Sequence, residues 1–162
     1  MKAFDREGKR LCEFQAELFE KSATSLEMSS EIFVRRYMNS RIARELDSGS
    51  FLEGNMGVAD IYEEIDRQYG PSSYGSKKYH RDVMFWAGYL YRELCYCYEV
   101  SSKQAYKLLP FKDVASSYEP YHALDVSQAI ERLLEAKGIS FSEEEVNQRG
   151  VAILKSIRKM RI

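Results

Sequence analysis

Cys95 and Cys97 stand two apart in FWAGYLYRELCYCYEVSSKQAYKLL (residues 85–109), the stretch of the chain richest in thiol and aromatic side chains. On a helix such a pair is separated by about 200°, so the two thiols cannot chelate one ion without breaking the helix. They read as buried thiols. His80 and His122 lie in separate segments, and neither belongs to the His-x-x-His or Glu-x-x-His pattern that a metal set requires. His122, in EPYHALD, has Asp125 nearby as a group that would orient its ring, with Cys12 or a serine as the nucleophile such a dyad would need. No positioning motif surrounds any serine or cysteine, so a capping or buried hydrogen-bonding role is the stronger reading of His122. No glycine-rich phosphate loop is present. The chain is therefore expected to have no catalytic residue, no metal and no cofactor, and not to be an enzyme.

What the same stretch does offer is a surface. On a helical wheel residues 77–99 place Val83, Trp86, Ala87, Leu90, Leu94, Cys97 and Tyr98 on one wide apolar arc, which reads as core. Phe85, Tyr89 and Tyr96 form a second stripe on the opposite side, with Arg92 at its edge. A helix apolar on both sides is ordinarily sandwiched between neighbours. The competing reading makes Phe85, Tyr89, Arg92 and Tyr96 a contact surface for a partner protein, because tyrosine beside arginine is favoured at the buried centre of interfaces. Gly88, a weak helix former, suits the close approach of another backbone.

Basic residues suggest a second kind of partner. Arg35, Arg36, Arg41 and Arg44 cluster in one predicted helical region, and Lys155, Arg158, Lys159 and Arg161 in another; either would serve DNA phosphates, although each is more often a solvated face. SSKQAYKLLPFKDVASSY is compatible with helix-turn-helix geometry but has no evident base-reading set. The 24 Lys and Arg nearly cancel the 25 Asp and Glu, so a net charge of -1 supplies no global field for nucleic acid, which is allowed but not favoured as a partner.

The elements that must carry these residues read as helices throughout. The chain has 162 residues, is 44% hydrophobic and carries only three prolines, and no run alternates with the period of a strand. The pattern predicts an all-α, single-domain irregular bundle of about seven helices around a central aromatic helix, with a core region over 28–138. Helices are expected over roughly 8–22, from a cap at Ser29 or Ser30 to about 47, over 58–69, from near Lys77 to Glu99, and from caps at Ser101 or Ser102, Pro110, and Asp125 or Ser127. Gly138 stands where a left-handed cap closes the last of these. Residues 139–162 read as a separate amphipathic C-terminal helix opened by a Ser142–Glu145 capping box. Its Val146, Ile153, Ile157 and Met160 stripe must be buried, either on the core or in a homodimer. No span approaches bilayer length and the start of the chain lacks a signal-peptide core, so a cytoplasmic protein without a membrane partner is expected. Three cysteines without a disulfide framework agree with that compartment.

The segment YGSKKYHRDVMFWAGYLYRELCYCYEVSSKQAYKLLPFKDVASSYEPYHALDVSQAIERLLEAK, together with EIFVRRYMNSRIARELD, resembles a family of small, largely uncharacterised bacterial helical proteins in which an aromatic helix is followed by SSKQ-Y-K and a later QAIERLLEA element. SSKQAYKLLPFKDVASSYEPYHALD is also similar to a bacterial family with a Ser-Gly-Lys-(Glu/Gln)-x-(Tyr/Phe) helix, encoded beside ADP-ribosyltransferase-like toxins. Ser102 stands here in place of that glycine, and His122 precedes the leucine it follows there. These resemblances imply the antitoxin or accessory half of a toxin system, a protein that covers a partner's active site. They carry over no catalytic residue.

Overall fold

The computed structural model describes residues 1–50 and 56–141, and every regular element among them is an α-helix. Short polar side chains set most of the starts. α1 (Arg6–Ser25) opens at Asp5, whose carboxylate accepts from the Gly8 amide at 2.9 Å and so satisfies one of the donors a first turn leaves unpaired. α2 (Ser30–Met38) and α3 (Arg41–Ser48) open at Ser29 and Ser40, whose hydroxyls accept from Ile32 and Ala43. The single helix expected from residue 30 to 47 is thus two. Ser40 offers its hydroxyl to a new first turn, and the chain breaks at Asn39–Ser40.

α4 (Val58–Tyr69) has the bounds its sequence predicts and ends at Gly70, with φ 86. The next helix starts later than expected. The Ser29 and Ser30 amides donate to the carbonyls of Tyr74 and Lys77, and the Tyr79 amide donates to Ser30 Oγ at 3.0 Å. Backbone groups of 74–79 are committed to the start of α2, so α5 (Arg81–Tyr98) begins only after them. α6 (Ser102–Leu108) carries a Ser101–Gln104 capping box, and α7 (Phe111–Ser116) follows Pro110. α8 (Tyr118–Tyr121) and α9 (Val126–Ala136) complete the described helices, nine in number against about seven expected; Gly138 closes α9 with φ 69.

α1 and α5 form the most extensive pair and run antiparallel. Gly8 lies against the Tyr96 ring at one end, and Lys78 just before α5 donates to Ser22 and Leu26 carbonyls at the other, 3.1 and 2.5 Å away. An ammonium at those carbonyls also suits the negative end of the α1 dipole. Cys12, Ala16, Leu18 and Phe19 of α1 are fully buried, so the core reaches beyond the 28–138 expected for it. α5 also packs on α6, α7 and α9. Trp86, Leu90 and Leu94 are buried, as the wide arc predicts. Phe19 meets Phe33 and Tyr37 edge-on, each at 5.4 Å, and the Tyr62 and Tyr91 hydroxyls donate to the Leu18 and Leu109 carbonyls. Their rings thereby add apolar area without orphaning a hydroxyl. The predicted helix over 142–162, and the dimer reading built on it, lie outside the described residues.

Candidate functional site

The two faces of α5 have different fates. Arg92, expected on the partner-facing stripe, is 1% exposed and is corrected to a buried residue. Its Nε and Nη2 donate to Gln15 Oε1 at 3.0 and 2.8 Å, Nη1 donates to Asp47 Oδ1 at 2.7 Å, and Nη2 also reaches Ser102 Oγ at 3.0 Å. Gln15 also accepts from the Tyr37 hydroxyl and donates to the Gly88 carbonyl, while the Ser102 amide and hydroxyl both donate to Asp47. Burial favours the neutral guanidinium, but the nearby Cys95, Tyr37 and Asp47 outweigh it and hold the group charged. This network is structural: five side chains from α1, α2, α3, α5 and α6 satisfy one another inside the protein.

Tyr96 is likewise engaged within the chain. Its hydroxyl donates to Asp5 at 2.6 Å, and the Lys2 ammonium sits 4.0 Å from its ring centre. Phe85, 38% exposed, and the partly exposed Tyr89 do reach solvent together. They open onto a cavity of about 970 Å³ bounded by residues 1–4, α5, α8 and α9. Trp86, Tyr118 and His122 continue its wall: Tyr118 meets Trp86 edge-on at 5.7 Å and stacks on His122 at 4.5 Å. Trp86 Nε1 is buried there without a hydrogen-bond partner.

Glu93 also lines this cavity and was not singled out by the sequence. Only 5% exposed, it has no hydrogen-bond or ion-pair partner among the described residues. Burial, and then the charge of Asp125 across the cavity, push its carboxyl up to about 7. A signal for it existed, since Glu93 falls on the helical wheel between Tyr89 of the outer stripe and Trp86 of the core arc, where a carboxylate beside a buried ring is out of place.

The remaining candidates are dispersed. His122 does not bond Asp125; its Nδ1 lies 2.8 Å from the Tyr118 carbonyl and 3.2 Å from that of Glu119, so that nitrogen carries the proton. Cys12, Cys95 and Cys97 are free and buried, and burial raises each thiol, Cys97 to about 11. No group of His, Cys, Asp and Glu among the described residues is arranged to hold a metal. His80 caps α5, its Nδ1 accepting from the Asp82 amide. Arg36 donates to the Gly70 carbonyl at 2.6 Å and lies over the Tyr69 ring, which ties it to the end of α4. Arg35, Arg41 and Arg44 are exposed, split between α2 and α3 by the break at Asn39–Ser40. No helix among the described residues is long and apolar enough to cross a membrane. Compared with known protein families, curated proteins and solved structures, the chain matches none.

Proposed function

We propose that this protein acts in the cytoplasm by binding a protein partner and not by catalysing a reaction, as the antitoxin or accessory half of a toxin pair that covers its partner's active site. One observation carries the reading: Phe85 and Tyr89 stand at the mouth of a cavity of about 970 Å³, on a helix whose other face is locked into the core. Rigid aromatic anchors beside a concavity are the arrangement in which interface energy concentrates. The resemblance of residues 101–125 to proteins encoded beside ADP-ribosyltransferase-like toxins supplies the class of partner.

Co-expression with the product of the neighbouring gene, followed by size-exclusion chromatography, tests it. The pair should co-elute, and Phe85→Arg should abolish co-elution while the melting temperature stays within about 3 °C. A wild-type chain that elutes alone, or a complex indifferent to Phe85→Arg, would sink the proposal.

A DNA-binding regulator is the second reading, favoured by the exposure of Arg35, Arg41 and Arg44. Its mark would be promoter affinity that falls steeply with salt, with a log-log slope flattened by about 1 for each Arg→Ala change. Absence of a gel shift at low salt removes it.

A further inference from the structure

Five carboxyl groups line the cavity: Glu20, Asp82, Glu93, Asp125 and Glu131. Against them stand two ammonium groups, that of Lys2, which is already placed over the Tyr96 ring, and the amino group of Met1. Low-dielectric walls of one charge sign focus the field inside a cleft, so an anionic ligand is disfavoured here. The carboxyls are not gathered into a metal-holding group, which leaves a dispersed negative field over an apolar, aromatic surface. Aromatic faces attract cations through their quadrupole, most strongly when the cation is stripped of water.

Glu93 adds an independent observation. A side chain 5% exposed and without a partner among the described residues is costly as a carboxylate, since it meets water only through the cavity. A charge-assisted bond from a ligand would remove that cost. A neutral apolar ligand would leave it in place, so the unpaired acid selects for a cation.

We propose that this cavity is the binding site of an organic monocation, a protonated amine on an apolar, ring-sized body, with Glu93 as its counter-ion and Trp86, Tyr89 and Tyr118 as its aromatic walls. The volume, about 970 Å³, lies at the upper end of the range of small-molecule pockets. The proposal rests on this cavity being the binding site, as above, but not on the partner being a protein.

Trp86 is the only tryptophan of the chain and lines the cavity, so its fluorescence reads occupancy directly. The probes are 2-phenylethylammonium, the neutral 2-phenylethanol and the anionic 3-phenylpropanoate, titrated at pH 8. The ammonium should bind saturably and about tenfold more tightly than the alcohol, and the carboxylate should not bind. Glu93→Gln should weaken the ammonium about tenfold and leave the alcohol within about twofold.

Should that variant fail to fold, the pH dependence of the unmodified protein supplies the test. Glu93 faces Asp125 and Glu131 of the α9 region, Cys12 of α1, Tyr89, Cys97 and Tyr98 of α5, Lys2, the Met1 amino group and His122, with Glu20 and Asp82 on the same cavity wall. Burial holds Tyr89 up to about 12 and Cys97 up to about 11, so neither changes charge between pH 6 and pH 8. Ammonium affinity should rise about tenfold over that interval as Glu93 ionises. To separate Glu93 from the imidazole and the amino group that share the wall, the series is repeated in His122→Gln and in the N-terminally acetylated protein, and should persist in both. Alcohol binding as tight as ammonium binding, an affinity unaffected by Glu93→Gln or by pH, or no saturable signal up to about 20 mM would each overturn the proposal. A protein complex that survives any of these results leaves the reading of Phe85 and Tyr89 intact, so the two failures are distinguishable.

Discussion

The Arg92 guanidinium donates to Asp47 Oδ1 at 2.7 Å, so one ion pair joins the middle of α5 to the last turn of α3. Asp47 also receives the Ser102 amide and hydroxyl, at 2.8 and 2.6 Å, and thereby fixes the start of α6 as well. A charge buried to this degree is tolerated because every polar neighbour is oriented toward it.

Removing one partner from such a pair strands the other. Asp47→Ala should cost about 3–5 kcal/mol, since Arg92 stays charged and buried while the Ser102 amide loses its acceptor. Urea unfolding with an unchanged m-value measures this. A loss below about 1 kcal/mol would mean that the pair is solvated and contributes as a surface bridge does.

The α1–α5 contact depends on the missing side chain of Gly88. A Cβ there would lie 2.8 Å from both the Gln15 carbonyl oxygen and Phe19 Cγ, closer than atoms pack. Alanine gains about 1 kcal/mol of helix propensity over glycine. The clash involves backbone and a fully buried ring, so it wins: Gly88→Ala should destabilise by about 1–3 kcal/mol net in thermal melts. A stabilised variant would show that α1 can shift freely along α5.

Glu93 makes stability depend on pH in an unusual direction for a carboxylate. Its folded value, about 7, lies above the ordinary 4.5, so the folded state holds the proton more tightly than the unfolded one. Stability from this group is complete below pH 4.5, declines as pH rises toward 7 and is flat beyond. Cavity water screens part of the effect, which leaves a difference of about 1–3 kcal/mol between wild type and Glu93→Gln across that window. Paired denaturation curves at pH 5 and pH 8 should show the wild type losing more stability on alkalinisation than the variant; parallel losses would place the Glu93 carboxyl in solvent.

Local chemistry made much of the helical frame legible. Residues 58–69 carry their own stop in Gly70–Pro71, Ser101 with Gln104 writes a capping box, and Gly138 supplies the left-handed residue that closes α9. Trp86, Leu90 and Leu94 repeat at the helical period and are buried for that reason. Such signals act within a few residues, which is the distance over which sequence patterns speak.

Partners far apart in sequence decided the rest. Arg92 looks like a surface residue until Gln15, Asp47 and Ser102 are brought around it from three other helices. Gln15 held a faint signal, a polar residue on the stripe of Leu11, Leu18 and Phe19, but nothing local names its partner. The break at Asn39–Ser40 was visible only as one serine within an apolar stripe, where helix continuation and a new cap are close in energy. The late start of α5 depends on backbone bonds to α2 across residues 29–79. The unpaired carboxyl of Glu93 depends on α9 bringing Asp125 and Glu131 to the cavity wall. The sequence by itself determined which segments become helices, because propensity, capping and periodicity are local free energies. Tertiary structure alone decided which polar groups are paired inside and which face a cavity, because burial and the loss of water are set by every element at once.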